Sequence, residues 1–167
     1  IWPFLLEITK IKDVFTSSSC SGRIALLSSD INENKKYTSF HKRYHRQVSF
    51  DELLKDINDF NDGYLWLKVE PFIFHFGVKD LTKATELLYF LRNYGLKRAA
   101  IISTKPGKIV VEATNTVFLS TLVKKNNNLL VSKEYLQEIV TIANNKFKEN
   151  ENKRKGFEES FLNAFLK

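Results

Sequence analysis

The run Phe15-Thr-Ser-Ser-Ser-Cys-Ser-Gly-Arg-Ile24 puts four hydroxyls, the only cysteine, a fifth hydroxyl, a glycine and an arginine side by side. Three chemistries fit such a run. Cys20 could be a thiol nucleophile, with the Arg23 cation favouring its thiolate. A phosphatase-like loop, however, needs a longer gap between cysteine and arginine than the three positions found here. Cys20 could equally be a small packing residue, and the serines a polar strand end whose hydroxyls satisfy nearby backbone groups. The third reading is an anion cradle. In it Ser17, Ser18, Ser19 and Ser21 supply hydroxyls, Gly22 admits close backbone approach, and the Arg23 fork meets a carboxylate or phosphate.

A second cluster, Phe40-His-Lys-Arg-Tyr-His-Arg46, interleaves aromatic and basic groups. Lys42, Arg43, Tyr44, His45 and Arg46 suit stacking on bases and pairing with phosphates, or are simply solvated charges on an exposed strand. His41 and His45 lack an evident carboxylate partner, so no metal site is expected. His75 sits inside the apolar run Phe72-Ile-Phe-His-Phe76. It reads either as a core histidine bonded to backbone or as a proton carrier facing a planar ligand. Trp66, Lys68 and Glu70 alternate on one strand and share a face, with Trp66 a core residue or a stacking platform. The six glycines form neither G-x-G-x-x-G nor a P-loop, so a Rossmann-type nucleotide site has no support.

The totals set the frame for these residues. A chain of 167 residues, 43% hydrophobic and with 14 Phe, has the length and composition for one domain with a real core. A single cysteine excludes an internal disulfide and a cysteine-rich zinc site, and points to a reducing compartment. No apolar run approaches the roughly 20 residues that cross a bilayer, and the expectation is a soluble cytoplasmic protein with no membrane partner. The net charge of +7 suits a polyanion partner, although Lys-rich solvated helices give the same surplus.

The elements that must position the candidates follow from pattern. Trp2 to Lys12 reads as a short amphipathic helix with Pro3 in its first turn. Val14 to Ser29 reads as two strands around Ser21-Gly22, Asp30 to Ser39 as a loop, and Lys42 to Val48 as a strand. Ser49-Phe-Asp-Glu52 is a capping box for a helix reaching about Phe60. Pro71 divides two β-rich runs, Tyr64 to Glu70 and Phe72 to Val78. Asp80 caps a helix with Leu81, Ala84, Leu87, Leu88 and Leu91 at helical spacing, ended by Gly95. Arg98 to Ser103 and Ile109 to Ala113 form a hairpin about Lys105-Pro-Gly-Lys108, and Thr116 to Val123 is a further strand. From Ser132 a helical pattern runs nearly to the end, interrupted near Gly156, with the charged stretch 148–160 as a solvated helix. The expected fold is α+β: a single domain over 1–167, with a mixed, mostly antiparallel sheet, helices packed against it, a charged C-terminal helix over 145–167, and no Rossmann order.

Taken together, these segments resemble the tRNA wybutosine-synthesising protein 3 family, in its archaeal branch. The resemblance is carried by Ile1-Trp-Pro-Phe-Leu-Leu, Phe15 to Ile24, Tyr44-His-Arg46, Leu65-Trp-Leu-Lys-Val-Glu-Pro71 and Phe74-His-Phe76. It continues through Gly95-Leu-Lys-Arg, Lys108-Ile-Val-Val-Glu112, Leu130 to Leu136 and Ala143-Asn-Asn-Lys146. Ser-Ser-Cys-Ser-Gly-Arg is its most specific element. The family usually has a further basic helical segment before the position of Ile1.

The resemblance implies a methyltransferase outside the Rossmann class that uses S-adenosylmethionine. Its target would be ring nitrogen 4 of the aminocarboxypropyl-demethylwyosine lying 3′ of the anticodon of phenylalanine tRNA. On that reading Arg23 and the Ser17 to Ser21 hydroxyls hold a carboxylate of cofactor or substrate, and His75, Arg23 and Ser19 form the catalytic group. Trp66 or Tyr44 stacks on the tricycle, while Lys42, Arg43, His45, Arg46 and Lys68 contact the tRNA. A monomer is the expected state. The rival reading is a non-catalytic tRNA-binding or scaffold protein, and a weaker one is a thiol-dependent hydrolase.

Overall fold

Pro71 ends one strand and begins another, and the two strands join different sheets. The structure, a computed structural model, describes residues 1–166. It divides into two compact units. The first comprises Ile1–Ser21, Pro71–Thr116 and the chain from Asn150 onward; the second comprises Gly22–Glu70 and Val117–Glu149.

In the first unit β1 (Val14–Cys20), β5 (Ile73–Val78), β6 (Ala100–Lys105) and β7 (Lys108–Thr114) form an antiparallel sheet of order β1-β5-β7-β6. One face carries Phe74 and Phe76, both fully buried with neighbouring Phe72. Packed with them are α1 (Trp2–Ile8), α3 (Leu81–Asn93) and the end of α4 (Lys133–Phe165), through Phe4, Ile8, Leu87, Leu91, Phe157 and Phe161. The Phe76 and Phe161 rings stack with centroids 4.9 Å apart. Each buried ring is worth about 1.5–3 kcal/mol of transfer free energy, which makes this aromatic layer the main source of cohesion in the unit. The Asp80 carboxylate accepts from the Lys83 N–H at 2.8 Å to start α3. Gly95, at φ +105°, ends it, and the Leu96 N–H closes back onto the Leu91 carbonyl at 3.0 Å.

In the second unit β2 (Arg23–Ser29), β3 (Ser39–Tyr44), β4 (Tyr64–Glu70), β8 (Leu119–Lys125) and β9 (Asn128–Leu129) pair in the order β3-β2-β4-β8-β9. Leu65, Leu67 and Val69 alternate inward, together with Ile24 and Leu26. Against them lie Leu53 and Ile57 of α2 (Phe50–Asn58) and Leu136 and Val140 of α4. Ser49 Oγ accepts from the Glu52 N–H, as the capping box predicts. The buried Lys124 ammonium donates to the Ile57 and Asn58 carbonyls at 2.8 and 3.0 Å, which satisfies acceptors left open at the end of α2.

The α+β class and the antiparallel pairing stand, and the order is not Rossmann-like. Other expectations change. The strands belong to two sheets, and the chain passes from one to the other at Ser21-Gly22: β1 pairs with β5, and β2 with β3 and β4. The strand expected at Lys42 to Val48 is β3, which ends at Tyr44. Helix α4 runs through Gly156 without a break. Its buried positions, Leu136, Val140, Ala143, Phe147, Asn150, Arg154, Phe157 and Phe161, step by four and three. That continuous buried seam, apolar except at Asn150 and Arg154, outweighs the roughly 1 kcal/mol that a mid-helix glycine costs. A β-carbon at Gly156 would stand 3.0 Å from the Tyr94 hydroxyl, so the glycine provides room for that ring. The charged stretch 148–160 is therefore half embedded, with Asn150, Arg154 and Phe157 buried. No helix among the described residues is long and apolar enough to cross a membrane.

Candidate functional site

Sequence alternation puts His75 on the face of the first sheet opposite its phenylalanines, and the strand register says what surrounds it. Thr16 pairs with Phe76 and Ser19 with Phe74, so Ser17 and Ser18 both stand opposite His75. This is a β-bulge, which turns an additional side chain toward one point. On the other side His75 pairs with Glu112, and His75 Nε2 lies 2.9 Å from Glu112 Oε2. A second bulge occurs on β6, where Ile101 faces Val111 and Ser103 faces Val110, leaving Ile102 unmatched. Both edge strands are thus bulged beside the His75–Glu112 pair.

The result is an open groove of about 650 Å³. Its polar lining is Ser17, Ser18, His75, Ser103, Lys105 and Lys108, with Ile102 and Val110 as apolar floor. An ionised carboxylate only accepts, so Nε2 of His75 is the nitrogen that donates toward Glu112, and in the neutral imidazole Nδ1 is then the acceptor. Two ammonium groups and the serine hydroxyls are donors for an anionic group, while Ser103 Oγ already donates to the Lys108 carbonyl at 2.6 Å. Such a groove can hold a ligand with an anionic end, and it can take up a proton.

The hydroxyl run itself divides. Ser17 to Ser21 belong to the first unit, and Gly22 and Arg23 to the second, each half built into its own sheet. Ser19 Oγ is buried with no hydrogen-bond partner. Together with Ser17 it lines a cavity of about 330 Å³ walled by Trp2, Leu5 and Leu6. The Ser21 carbonyl accepts from Asn150 Nδ2 at 3.0 Å. Cys20 is a free thiol in register with Ile73. Gly22 has φ +89°, a conformation that favours glycine. Arg23 Nε donates to Glu70 Oε2 at 2.5 Å, and its guanidinium lies 4.3 Å over the Phe40 ring. The expected Arg23 anion fork is thus balanced by a carboxylate, and the arginine is not among the groove-lining residues of the first unit.

The second unit sorts the Phe40 to Arg46 cluster by strand face. Ala25 pairs with Arg43 and Lys68, and Leu27 with Phe40 and Trp66, so Arg23, Phe40, Arg43, Trp66 and Lys68 share the face turned away from α2 and α4. Arg43 lies 5.2 Å from the Phe40 ring centroid, and the Lys68 ammonium lies 5.7 Å from that of Trp66 while pairing with Glu33. Trp66 Nε1 is buried without a partner.

Lys42 and Tyr44 lie on the other face. Tyr44 is buried and its hydroxyl donates to Asp56, so the expected stacking role falls to packing instead. Burial, and then the Asp56 carboxylate, push the phenol well above its ordinary range. Lys42 pairs with Asp56 at 3.3 Å, and His45 Nδ1 donates to the Gly22 carbonyl at 3.0 Å. Arg46 grips Glu52 through both terminal nitrogens, at 2.8 and 2.5 Å. The cluster does not present one continuous basic and aromatic face, because alternation splits it.

Sequence reasoning missed Glu112, Ser103, Lys105 and Lys108 as neighbours of His75. The Lys105-Pro-Gly-Lys108 hairpin fixes the β6–β7 register, which sets Ser103 and Lys105 against β7, but the pairing of Glu112 with His75 lies between β5 and β7 and has no such local signal. No group of three or more His, Cys, Asp or Glu among the described residues could hold a metal ion.

Residues 1–163 match the family model described as Methyltransferase TYW3. A relative in Pyrococcus abyssi is 36% identical over 159 residues, covering 95% of this chain and 82% of its own. One in Pyrococcus horikoshii is 35% identical over 164 residues, covering 98% and 83%. Both carry the name tRNA(Phe) 7-((3-amino-3-carboxypropyl)-4-demethylwyosine(37)-N(4))-methyltransferase 1. Among solved structures, a Pyrococcus horikoshii protein superposes with a TM-score of 0.87 at 34% identity, over 95% of this chain and 81% of its own. A protein from Aeropyrum pernix shares the fold, with a TM-score of 0.80 at 24% identity over 95% and 93%.

Proposed function

The chain belongs to the Methyltransferase TYW3 family, and on that premise we propose that it methylates N4 of 7-(3-amino-3-carboxypropyl)-4-demethylwyosine at position 37 of phenylalanine tRNA, beside the anticodon. S-adenosylmethionine is the donor in this reading, and it supplies an electrophilic methyl on a sulfonium. The residues present fit such a group. Lys105, Lys108 and the Ser17 and Ser18 hydroxyls line one groove and are donors for a carboxylate.

The observation that carries the assignment is the His75–Glu112 pair set in a groove between two bulges. His75 Nδ1 accepts the ring N–H proton as that nitrogen gains the methyl group. Glu112 fixes the imidazole orientation and stabilises the imidazolium that results. The serines and lysines orient the anionic end of the ligand, and holding the reactants in line is the larger contribution to rate. On the outer face of the second sheet, Arg43, Lys68 and Trp66 meet the tRNA through phosphate pairing and stacking.

The test supplies methyl-labelled S-adenosylmethionine and tRNA(Phe) carrying the unmethylated precursor, followed by mass analysis of the nucleosides. A precursor one methyl heavier at N4 is expected. No incorporation at saturating donor and tRNA would refute the assignment.

A further inference from the structure

Phe15 sits next to the groove, and its ring has an unusual seat. Across the first sheet the register runs Phe15, Gly77, Val110, Ser103 in one row. The adjacent row on the same face contains Ser17 and Ser18, His75 and Glu112. A β-carbon on Gly77 would lie 2.0 Å from Cε2 and Cζ of Phe15, so the ring lies directly on the Gly77 backbone. Gly77 is not among the residues with positive φ. Its backbone therefore suits any residue, and what the glycine supplies is space.

The other side of the Phe15 ring is open: the residue is 50% exposed. Val110 and the half-exposed Ile102 extend the apolar surface, and the hairpin end beyond this row carries Lys105 and Lys108. A flat ring backed by main chain, flanked by apolar groups, a histidine and two cations is the shape that takes a planar heteroaromatic ring with an anionic arm.

We infer that Phe15, laid flat by Gly77, is the stacking platform for the planar ring bound beside His75, either the adenine of the donor or the tricyclic base of the substrate. This rests on the methyltransferase reading above, and the experiment separates the two. Calorimetric titration with S-adenosylhomocysteine and KM for precursor tRNA are measured on wild type, Phe15→Leu, Gly77→Ala, the Phe15→Leu/Gly77→Ala double variant and Phe15→Trp, with thermal unfolding as the folding control. Phe15→Leu removes the ring face, whereas Gly77→Ala keeps the ring but lifts it from its seat. Each should weaken one ligand about 10-fold or more, with the double variant no worse than the single ones, and Phe15→Trp should retain binding. A weaker S-adenosylhomocysteine Kd with unchanged tRNA KM assigns the adenine, and the converse assigns the tricycle. Folded Phe15→Leu and Gly77→Ala proteins with wild-type values for both ligands overturn the platform, even if methylation itself is intact. A wild-type protein that neither binds S-adenosylhomocysteine nor methylates overturns the underlying reading and the platform with it.

Discussion

His75 and Glu112 face each other across β5 and β7 with Nε2 and Oε2 2.9 Å apart, and each side chain keeps about a quarter of its surface exposed. The strands are already joined by their backbone ladder and by a buried aromatic layer on the other face. The pair is therefore not required to hold β5 against β7. Its consequence is orientational: one imidazole nitrogen is tied to a carboxylate, and the other is left as an acceptor.

That division of labour predicts different losses from the two residues. His75→Ala should lower kcat by about 10²–10⁴-fold, the usual contribution of a positioned acid–base group. Glu112→Gln keeps the hydrogen bond but loses the charge that supports the imidazolium, and should lower kcat about 10–100-fold with little change in KM. Initial rates of methylation on precursor tRNA check both. Wild-type kcat in His75→Ala would remove the histidine from the reaction.

How much of this could be read from the chain differs from residue to residue. Ser49, Asp80 and Gly95 act through neighbours three to five positions away, so their capping roles were visible in sequence. The meeting of His75 with Glu112, and of two serines with His75, depends on strand order and on bulges, which no local pattern specifies. Ser17 to Arg23 looked like one site because seven residues are contiguous, yet a change of sheet at Ser21-Gly22 divides them. Gly156 looked like a helix break because propensity is local, whereas the mostly apolar buried seam that overrides it spans the helix.

Asp56 gives the second unit a pH dependence. Burial acts to raise its pKa, but the Tyr44 hydroxyl and the Lys42 ammonium outweigh burial and hold it below its ordinary value of 3.8. A carboxyl depressed in the folded state contributes stability that is present above that ordinary value and lost as pH falls through the lower folded one. Tyr44→Phe removes the largest single lowering interaction. It should cost about 1.5–3 kcal/mol near neutrality and flatten the loss of stability below about pH 4. Thermal unfolding of both proteins from about pH 2 to 7 measures this, and parallel curves would contradict it.

Asn150 is the polar hinge pin of the first unit's aromatic layer. Its Oδ1 accepts from the Phe72 N–H at 2.8 Å and from Asn115 Nδ2 at 2.9 Å, and its Nδ2 donates to the Ser21 carbonyl at 3.0 Å. Asn150→Leu matches the apolar residues of the α4 seam by type, yet it strands the buried Phe72 main-chain N–H. The expected cost is about 3 kcal/mol, or roughly 6–12 °C in Tm for a chain of this size. A Tm at or above wild type would show that water or repacking serves these groups equally well.

The outer face of the second sheet makes a prediction that separates charge from stacking. Arg43 lies against Phe40 and Lys68 against Trp66, so each aromatic ring carries a cation near its face. If the cations pair with phosphates, Arg43→Ala or Lys68→Ala weakens tRNA binding without regard to base sequence. Each should reduce the slope of log K against log salt by about one. Trp66→Leu should instead weaken binding about 5- to 100-fold with the salt slope unchanged, because stacking releases no counterions. Glu33 and Glu70 already balance Lys68 and Arg23, so Glu33→Gln should strengthen tRNA binding by freeing a positive charge. Filter-binding titrations across a salt series give the slopes of wild type and all four variants. Identical slopes for wild type, Arg43→Ala and Lys68→Ala would place the tRNA backbone on another surface of the protein.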